Sequence, residues 1–456
     1  MFTIKEILQA TGGTLVAGTL EKRVSGVSTD TRLVKRGQVF IAIKGDNFDG
    51  HHFLAQAVEK GACAVIVSSR SVPIPPGAVG ILVQDTVKAL GRIACYHRQR
   101  FDIPVIAITG SAGKTSAKEL IAAVMAKKYR VLFNKGTENN HIGVPMTLLR
   151  LTRRHQAAVI EMGTNHPGEI AWLAGNTLPT AAVFTNVGAS HLEGLGTPEG
   201  VYQEKLSLLK FVRRDGHVIV NADDPFWARL LKERLSQTVL SYGIKARADV
   251  GAVAVTADAR GSHFKTKSGR LFVVKSPSWG AVHNALAAMA CARVFRVPEA
   301  RVQEALKKVK PAKGRQCLVT VRGVTIIDDT YNANPVSYQN ALRALAMLRG
   351  RGRVVLAAAD MLELGPRSDQ WHRQIGREAA GAGLDAVFTC GKKARFIGKA
   401  AKEKNAALDV RHFSDQAALT EALKKYLRAG DLFLCKGSRG MRMEKVVQDI
   451  GTFLKG

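Results

Sequence analysis

Apolar residues in this chain gather in short unbroken runs separated by stretches with helical spacing. In the middle of the chain the strand candidates are Val105–Thr109 and residues 157–160, 182–185 and 218–220. Continuous apolar runs of that length predict strands buried on both faces, as in a parallel sheet. Residues 324–327, 354–358, Ala386–Cys390 and 432–435 repeat the pattern toward the end, with helical stretches between them. Residues 39–43 and Ala64–Val67 do so near the start, around a helical stretch over 53–61. Alternating strand and helix predicts mostly parallel sheets covered on both faces, an α/β fold.

At 456 residues the chain is too long for one ordinary core. The Pro- and Gly-containing segment SVPIPPGAVG reads as a linker after the first unit. Three domains are therefore expected, over residues 1–82, 83–312 and 313–456, the middle one opening with a helix.

Composition adds one departure from the ordinary. Hydrophobic residues at 46% and charged residues at 23% exclude extensive disorder. Yet 67 Lys and Arg stand against 37 Asp and Glu, a net charge of +30. That balance suits polyanionic partners: nucleic acid, an acidic membrane surface or phosphorylated small molecules. The excess is spread along the chain, +6 over residues 1–100, +14 over 101–314 and +10 over 315–456, nearly in proportion to length. No block of like charges forms a basic arm, so a generally basic surface is favoured over a nucleic-acid groove. The six cysteines show no CxxC and no metal-ligand spacing. The start, MFTIKEILQATGG, lacks a signal layout, and no apolar window is long enough to span a bilayer. A reduced, soluble, cytoplasmic protein is expected.

The most informative stretch is PVIAITGSAGKTSAKELIAAVM. An apolar strand breaks at Gly110 into Gly110-Ser111-Ala112-Gly113-Lys114-Thr115-Ser116. Ala117, Leu120, Ile121, Val124 and Met125 then recur at the spacing of one helix face. Strand, glycine-rich turn and helix opening on GKT form the context of a phosphate-cradling loop. Glycines let backbone N–H groups converge on phosphate oxygens, and the helix amino terminus favours negative charge. Lys114 would reach the β- and γ-phosphates and Thr115 would hold Mg²⁺. The strict GxxxxGK[ST] pattern is not met, since Ile108 stands at its first glycine.

Other residues add to the loop. Glu161 follows an apolar run and so sits at the carboxyl end of a strand, where open α/β sheets bind ligands. His191, in TNVGASHLEGLG, reads by itself as a structural turn residue, and Lys205, in VYQEKLSLLK, as a solvated helix lysine. Asn139 and Asn140 follow a glycine turn, where side-chain amides hold either backbone or ligand. In DDTYNANP, Asp328 to Pro335, acid, aromatic and amide groups share one loop, more a site than a turn.

Together these stretches resemble the Mur ligase family over essentially the whole chain. The matching residues are Ser28-Thr29-Asp30-Thr31-Arg32, Lys44-Gly45 and Asp49-Gly50-His51, then GSAGKTS, ENNHIGVPMTLL, EMGTNHPGEI and NVGASHLEGLG. Gly314-Arg315, DDTYNANP, DMLELG and KGSRGMRME complete the series. The resemblance implies three domains: one binding a UDP-sugar, a central P-loop ATPase with a parallel sheet, and a Rossmann-like carboxyl-terminal domain. It implies an ATP-dependent amide-bond ligase acting through an acyl phosphate. DDTYNANP and DMLELG are typical of the member that adds D-alanyl-D-alanine to UDP-N-acetylmuramoyl-tripeptide. By the same resemblance Ser28, Asp30, Thr31 and Arg32 contact the uridine nucleotide, and ATP lies on residues 110–116. Thr115 and Glu161 hold one Mg²⁺; Glu161, His191 and Lys205, carbamylated by CO₂, hold a second. Asn139, Asn140, Tyr331, Asn332 and Asn334 help to position phosphate or substrate, and Asn284, Arg315 and Asp329 contact ATP. A monomer without a nucleic-acid partner is implied.

The chain departs from the family in places. Where HNxxN is usual it reads Gly280-Ala281-Val282-His283-Asn284, and only Asn284 aligns. Ala359 replaces the glycine usual before DMxELG, and Leu206-Ser207-Leu208 follows Lys205 where an acidic residue is common. The rival readings are a sister ligase, a folylpolyglutamate-type synthetase, a nucleic-acid-stimulated NTPase or P-loop kinase, and a catalytically silent scaffold. The last third speaks against the first two. Against the NTPase stand the even charge and the lack of an apolar run ending in Asp-Glu.

Overall fold

The computed structural model describes residues 2–456. Three sheets carry the architecture, besides a two-residue pairing of Phe2–Thr3 with Arg23–Val24. The first has five strands in the order Thr14–Ala17, Val79–Leu82, Ala64–Val67, Gln38–Ile41 and Gly26–Ser28, parallel except for its first pair. The helix expected over 53–61 is a 3₁₀ turn at Gly50–Phe53 followed by Leu54–Glu59.

The central sheet has nine strands. Val105–Thr109 lies between Ala157–Glu161 and Ala181–Phe184, and Val131–Phe133 forms the edge beyond Ala157–Glu161. From Val105–Thr109 the chain first crosses to the edge, returns inward, and then passes to the opposite side. That reversal of strand order puts the carboxyl ends of three neighbouring strands at a switch point, where α/β sheets open a crevice. The expected apolar runs are strands because both their faces are covered. Ile106 and Ile108 pack under the helices Lys114–Met125, Trp279–Val294 and Glu299–Lys308. Val105 and Ala107 face the opposite layer, which includes Thr86–Arg98 and Glu169–Thr177.

The far end of this sheet departs from the expected pattern. Val250–Asp258, Gly261–Thr266 and Leu271–Val274 form an antiparallel extension. Burial alternates along its strands, with Phe272 and Val274 covered and Val253 and Leu271 exposed. The strand candidates read from the sequence do not include them, although Leu271–Val274 is itself an unbroken apolar run.

The third sheet is ordered Cys317–Val321, Val324–Asp329, Leu432–Lys436, Val354–Ala359, Ala386–Cys390 and Asp409–Phe413, antiparallel only in its first pair. The domain docks against the central one. A Cβ added to Gly188 would overlap Cγ2 of Val336, and one on Gly365 would lie 3.5 Å from the Leu192 backbone. Cys291, Cys390 and Cys435 are buried and the other cysteines half-buried, all as free thiols. No helix among the described residues is long and apolar enough to cross a membrane.

Candidate functional site

The loop after Val105–Thr109 is shaped by backbone strain and by clamps from the next strand. Gly110 has φ of +155° and Gly113 +83°. A side chain on Gly110 would overlap the Thr185 hydroxyl. Thr185, expected as the last residue of its strand, lies just past the strand end and donates to the Ala112 carbonyl at 2.8 Å. Asn186 accepts from the Ala112 N–H at 2.8 Å, and its backbone carbonyl accepts from Ser111 N–H at 2.8 Å. The Ser111 hydroxyl is spent on the Gly188 carbonyl.

The helix Lys114–Met125 then begins at Gly113 with no side-chain cap. Its first-turn N–H groups have no partner within the helix, and its dipole adds positive potential there. Lys114 Nζ donates to the Gly110 carbonyl at 2.7 Å. Burial lowers the Lys114 pKa, Glu161 opposes this, and the Arg315 charge lowers it further.

Glu161 is 1% exposed. Its Oε1 accepts from the Thr115 hydroxyl at 3.1 Å and from Asn139 Nδ2 at 2.8 Å. Asn134 fixes its backbone on both sides, accepting from Glu161 N–H and donating to its carbonyl. The other carboxylate oxygen, Oε2, is buried without a hydrogen-bond partner. A buried carboxylate oxygen left bare beside a threonine hydroxyl is a donor set suited to a hard divalent cation.

Lys205 corrects the reading taken from its spacing alone. It is not solvated: on helix Pro198–Leu206 it is 1% exposed. Its Nζ makes no hydrogen bond or ion pair among the described residues. Burial, reinforced by the Lys114 charge and opposed by Glu204, holds its pKa well below the lysine range. Helical periodicity misses it because the carbon stem packs inward while neighbouring Glu204 bonds Thr164, Gly168 and Ile170. His191 sits in a left-handed turn, φ +53°, and its Nδ1 meets Glu363 Oε2 at 2.6 Å.

The third domain closes over this floor. Arg315 Nη2 donates to Thr115 Oγ1 at 3.3 Å, and its guanidinium lies 4.0 Å from the centre of the Tyr331 ring. Asn334 caps helix Pro335–Leu348 through Oδ1 and donates from Nδ2 to the Ser111 carbonyl at 3.2 Å. A cleft of about 630 Å³ results, lined by the loop from Ser111 to Thr115, Asn139, Asn140, Glu161, His191, Arg315, Tyr331, Asn332 and Asn334. On the other side of Gly113 a slot of about 110 Å³ holds Ser116, Asn284, Arg315 and Asp329. Asn284 Oδ1 would be 2.9 Å from a Cβ at Gly113, so glycine admits the amide.

Some expected residues sit differently. Asn140 Oδ1 is taken up by the N–H groups of Ile142 and Gly143, a turn at the start of the next helix. Ser28, Asp30, Thr31 and Arg32 line neither cavity. Ser28 is buried at the end of strand Gly26–Ser28 and donates to the Asp30 carbonyl, and Asp30 in the turn that follows accepts from the backbone and guanidinium of Arg32.

The residue roles read from the sequence omitted several partners found here: Asn186, Asn134, Glu363 and Lys436. Lys436 is fully buried, bonding Asp329 Oδ2 at 2.7 Å and the Asn332 carbonyl at 3.0 Å. Asn186, Glu363 and Lys436 lie within stretches already singled out, so the signal was present without their individual roles. His283, from the departed HNxxN segment, is structural: it bonds Asp223 at 2.7 Å and the Trp279 carbonyl.

Comparison with known proteins agrees with this layout. The Mur ligase middle domain matches residues 108–292, the Mur ligase glutamate ligase domain residues 314–439, and the Mur ligase family catalytic domain residues 23–98. The chain is 38% identical over 452 residues to the UDP-N-acetylmuramoyl-tripeptide–D-alanyl-D-alanine ligase of Bacillus subtilis (strain 168), covering 98% of each. A crystal structure of MurF from Acinetobacter baumannii superposes with a TM-score of 0.90 at 32% identity, covering 99% of both chains. MurF ligase from Thermotoga maritima in complex with ADP superposes at 0.84 with 28% identity, covering 95% of this chain and 98% of that one.

Proposed function

Because the chain belongs to the Mur ligase family, we propose that it joins D-alanyl-D-alanine to UDP-N-acetylmuramoyl-tripeptide in peptidoglycan precursor synthesis, converting ATP to ADP and phosphate. The observation that carries this reading is the uncapped helix start at Gly113, set beside a buried carboxylate with one bare oxygen and closed by Arg315. That is a seat for a nucleoside triphosphate and its cation, with one wall supplied by a second domain.

A peptide carboxylate is a poor acyl donor because oxide would have to leave. Its oxygen attacks the γ-phosphorus, the bond to the β-phosphate oxygen breaks, and ADP departs. The acyl phosphate then takes the amine of the dipeptide, a tetrahedral intermediate forms, and phosphate leaves as the amide closes. Lys114 and Arg315 neutralise charge on the phosphoryl oxygens, and the first-turn N–H groups orient them. Thr115, Glu161 and His191 are suited to hold Mg²⁺, which when bound draws charge from the phosphate oxygens. Asn139 keeps the Glu161 carboxylate turned for that task.

Lys205 is suited to carbamylation. A buried amine whose pKa is held well below the lysine range carries more of its neutral form, which adds to CO₂, giving a carbamate and releasing one proton. The product is an anionic oxygen ligand of the kind Mg²⁺ takes. The slot with Asn284 and Asp329 is assigned to the nucleoside of ATP. Tyr331, Asn332 and Asn334 border the peptide end, and the turn from Ser28 to Arg32 is assigned to the uridine nucleotide. A cleft completed within one chain supports a monomer, working in the cytoplasm.

Release of ADP and phosphate, measured with each substrate left out in turn, tests the reading. Turnover should require ATP, the UDP-linked tripeptide and the dipeptide together. Turnover on ATP alone, or stimulation by DNA or RNA instead of the peptide substrates, would sink it.

A further inference from the structure

Glu363 belongs to DMLELG, a stretch to which the chemistry above gives no task. It lies past the end of strand Val354–Ala359 in the third domain, yet its carboxylate ends on an imidazole of the central domain. Oε2 stands 2.6 Å from His191 Nδ1. Both residues hold left-handed backbone, φ +62° at Glu363 and +53° at His191, without being glycine. Non-glycine residues keep such conformations only where the surroundings over-determine them.

The surroundings do so from several sides. The Met361 N–H donates to His372 Nε2 at 2.9 Å, and Leu362 N–H to the Ser438 hydroxyl at 2.9 Å. Glu193 N–H donates to the Glu363 carbonyl across the domain boundary at 3.4 Å. The loop carrying Glu363 is thus pinned to its own domain and laid onto the His191 turn.

We propose that Glu363 is a positioning residue: it orients His191 for the cleft and makes readiness of the cation site depend on docking of the third domain. A carboxylate accepts only, so the bond requires the proton on Nδ1, and in the neutral ring the lone pair is then on Nε2. His191 Nε2 makes no hydrogen bond among the described residues, and His191 lines the cleft that contains Glu161 and Thr115. A carboxylate behind a ligating imidazole fixes the ring and raises its basicity, and losing it typically weakens metal binding about 10- to 100-fold. Here that carboxylate arrives from another domain, so an undocked third domain leaves His191 unoriented. The inference rests on the cation-holding role given to His191 above.

Mn²⁺ binding to the full chain in the presence of ADP, followed by electron paramagnetic resonance without turnover, provides the test. Glu363→Ala should weaken Mn²⁺ by about 10-fold or more, and Glu363→Gln, whose amide oxygen still accepts from Nδ1, should retain most of the affinity. Glu363→Met keeps the length without an acceptor and serves if the alanine variant fails to fold. His191→Ala should be weakened too, and the double variant should bind no worse than His191→Ala alone, since both act through one ring. A weakened His191→Ala beside a Glu363→Ala and Glu363→Met of wild-type affinity overturns the positioning role alone. Wild-type Mn²⁺ affinity in His191→Ala overturns the role of His191 itself and this proposal with it.

Discussion

Arg315 and Thr115 meet across the boundary between two domains. The guanidinium, braced on the Tyr331 ring at 4.0 Å, donates to the threonine hydroxyl at 3.3 Å. That hydroxyl in turn donates to Glu161. One chain of bonds therefore runs from the third domain, through the phosphate loop, to the carboxylate with the bare oxygen.

Replacing Arg315 cuts this chain at its domain boundary. A charged hydrogen bond is worth about 1.5–3 kcal/mol, so Arg315→Ala should lower kcat/KM for ATP by about 10- to 100-fold. Arg315→Lys should recover only part, because an ammonium cannot stack flat on Tyr331 and reach Thr115 together. Initial-rate kinetics with ATP varied reads both effects.

Lys205→Ala should reduce kcat by about 100-fold or more, as expected for loss of a group acting on transition-state charge. Added acetate or propionate should restore part of the rate. In the wild type, removing CO₂ should cause a loss reversed by bicarbonate. The reacting form is the neutral amine, and its pKa is lowered. Recovery at fixed CO₂ should therefore quicken as pH rises, beginning well below the ordinary lysine range. Rates in Lys205→Ala equal to wild type would remove the residue from the site.

Asp223 offers a stability measurement. Burial raises its pKa, but bonds from His283 and from the N–H groups of Ala246, Ile244 and Lys245 outweigh that and hold it below the usual carboxylate range. A depressed folded pKa adds stability that is present above the unfolded value of about 3.8 and is lost as pH falls below it. Asp223→Asn should destabilise the central domain at pH 7 and flatten its stability profile below pH 4. Denaturant melts across pH 3–7 would show this. A profile as steep as that of the wild type would count against the assignment.

Gly188 controls docking by having no side chain. An added Cβ would overlap Cγ2 of Val336, a branched side chain with little freedom to turn away. Gly188→Ala should lower turnover by holding the third domain off the phosphate loop, while leaving the unfolding of the isolated cores little changed. Gly188→Ala with Val336→Ala should recover most of the loss. Small-angle scattering with ADP, alongside kinetics, distinguishes undocking from misfolding.

The parallel cores were legible because burial on both faces leaves an unambiguous mark. The runs ending at Thr109 and Glu161 are apolar at every earlier position, as strands beneath helices on both sides must be. The antiparallel extension shows the limit of that mark: Leu271–Val274 is apolar throughout, yet Leu271 is exposed and Phe272 and Val274 are covered. The phosphate loop was legible because its glycines, lysine and threonine are neighbours in sequence. Lys205 was not: nothing in VYQEKLSLLK distinguishes a lysine on the surface from one at 1% exposure.

Local chemistry is thus written in the order of residues. A strand, a glycine turn and a helix that begins without a side-chain cap specify a phosphate seat wherever they occur, and the chain alone carried that much, with the alternation that makes the sheets. Pairings between distant segments were decided by the fold: Arg315 on Thr115, Asn334 on Ser111, Glu363 on His191. Each joins residues more than 170 positions apart, and no local spacing encodes which of many arginines or glutamates will arrive. Only the docking of two complete cores determines it, because the cost of holding these side chains together is met by the packing of the domains that carry them.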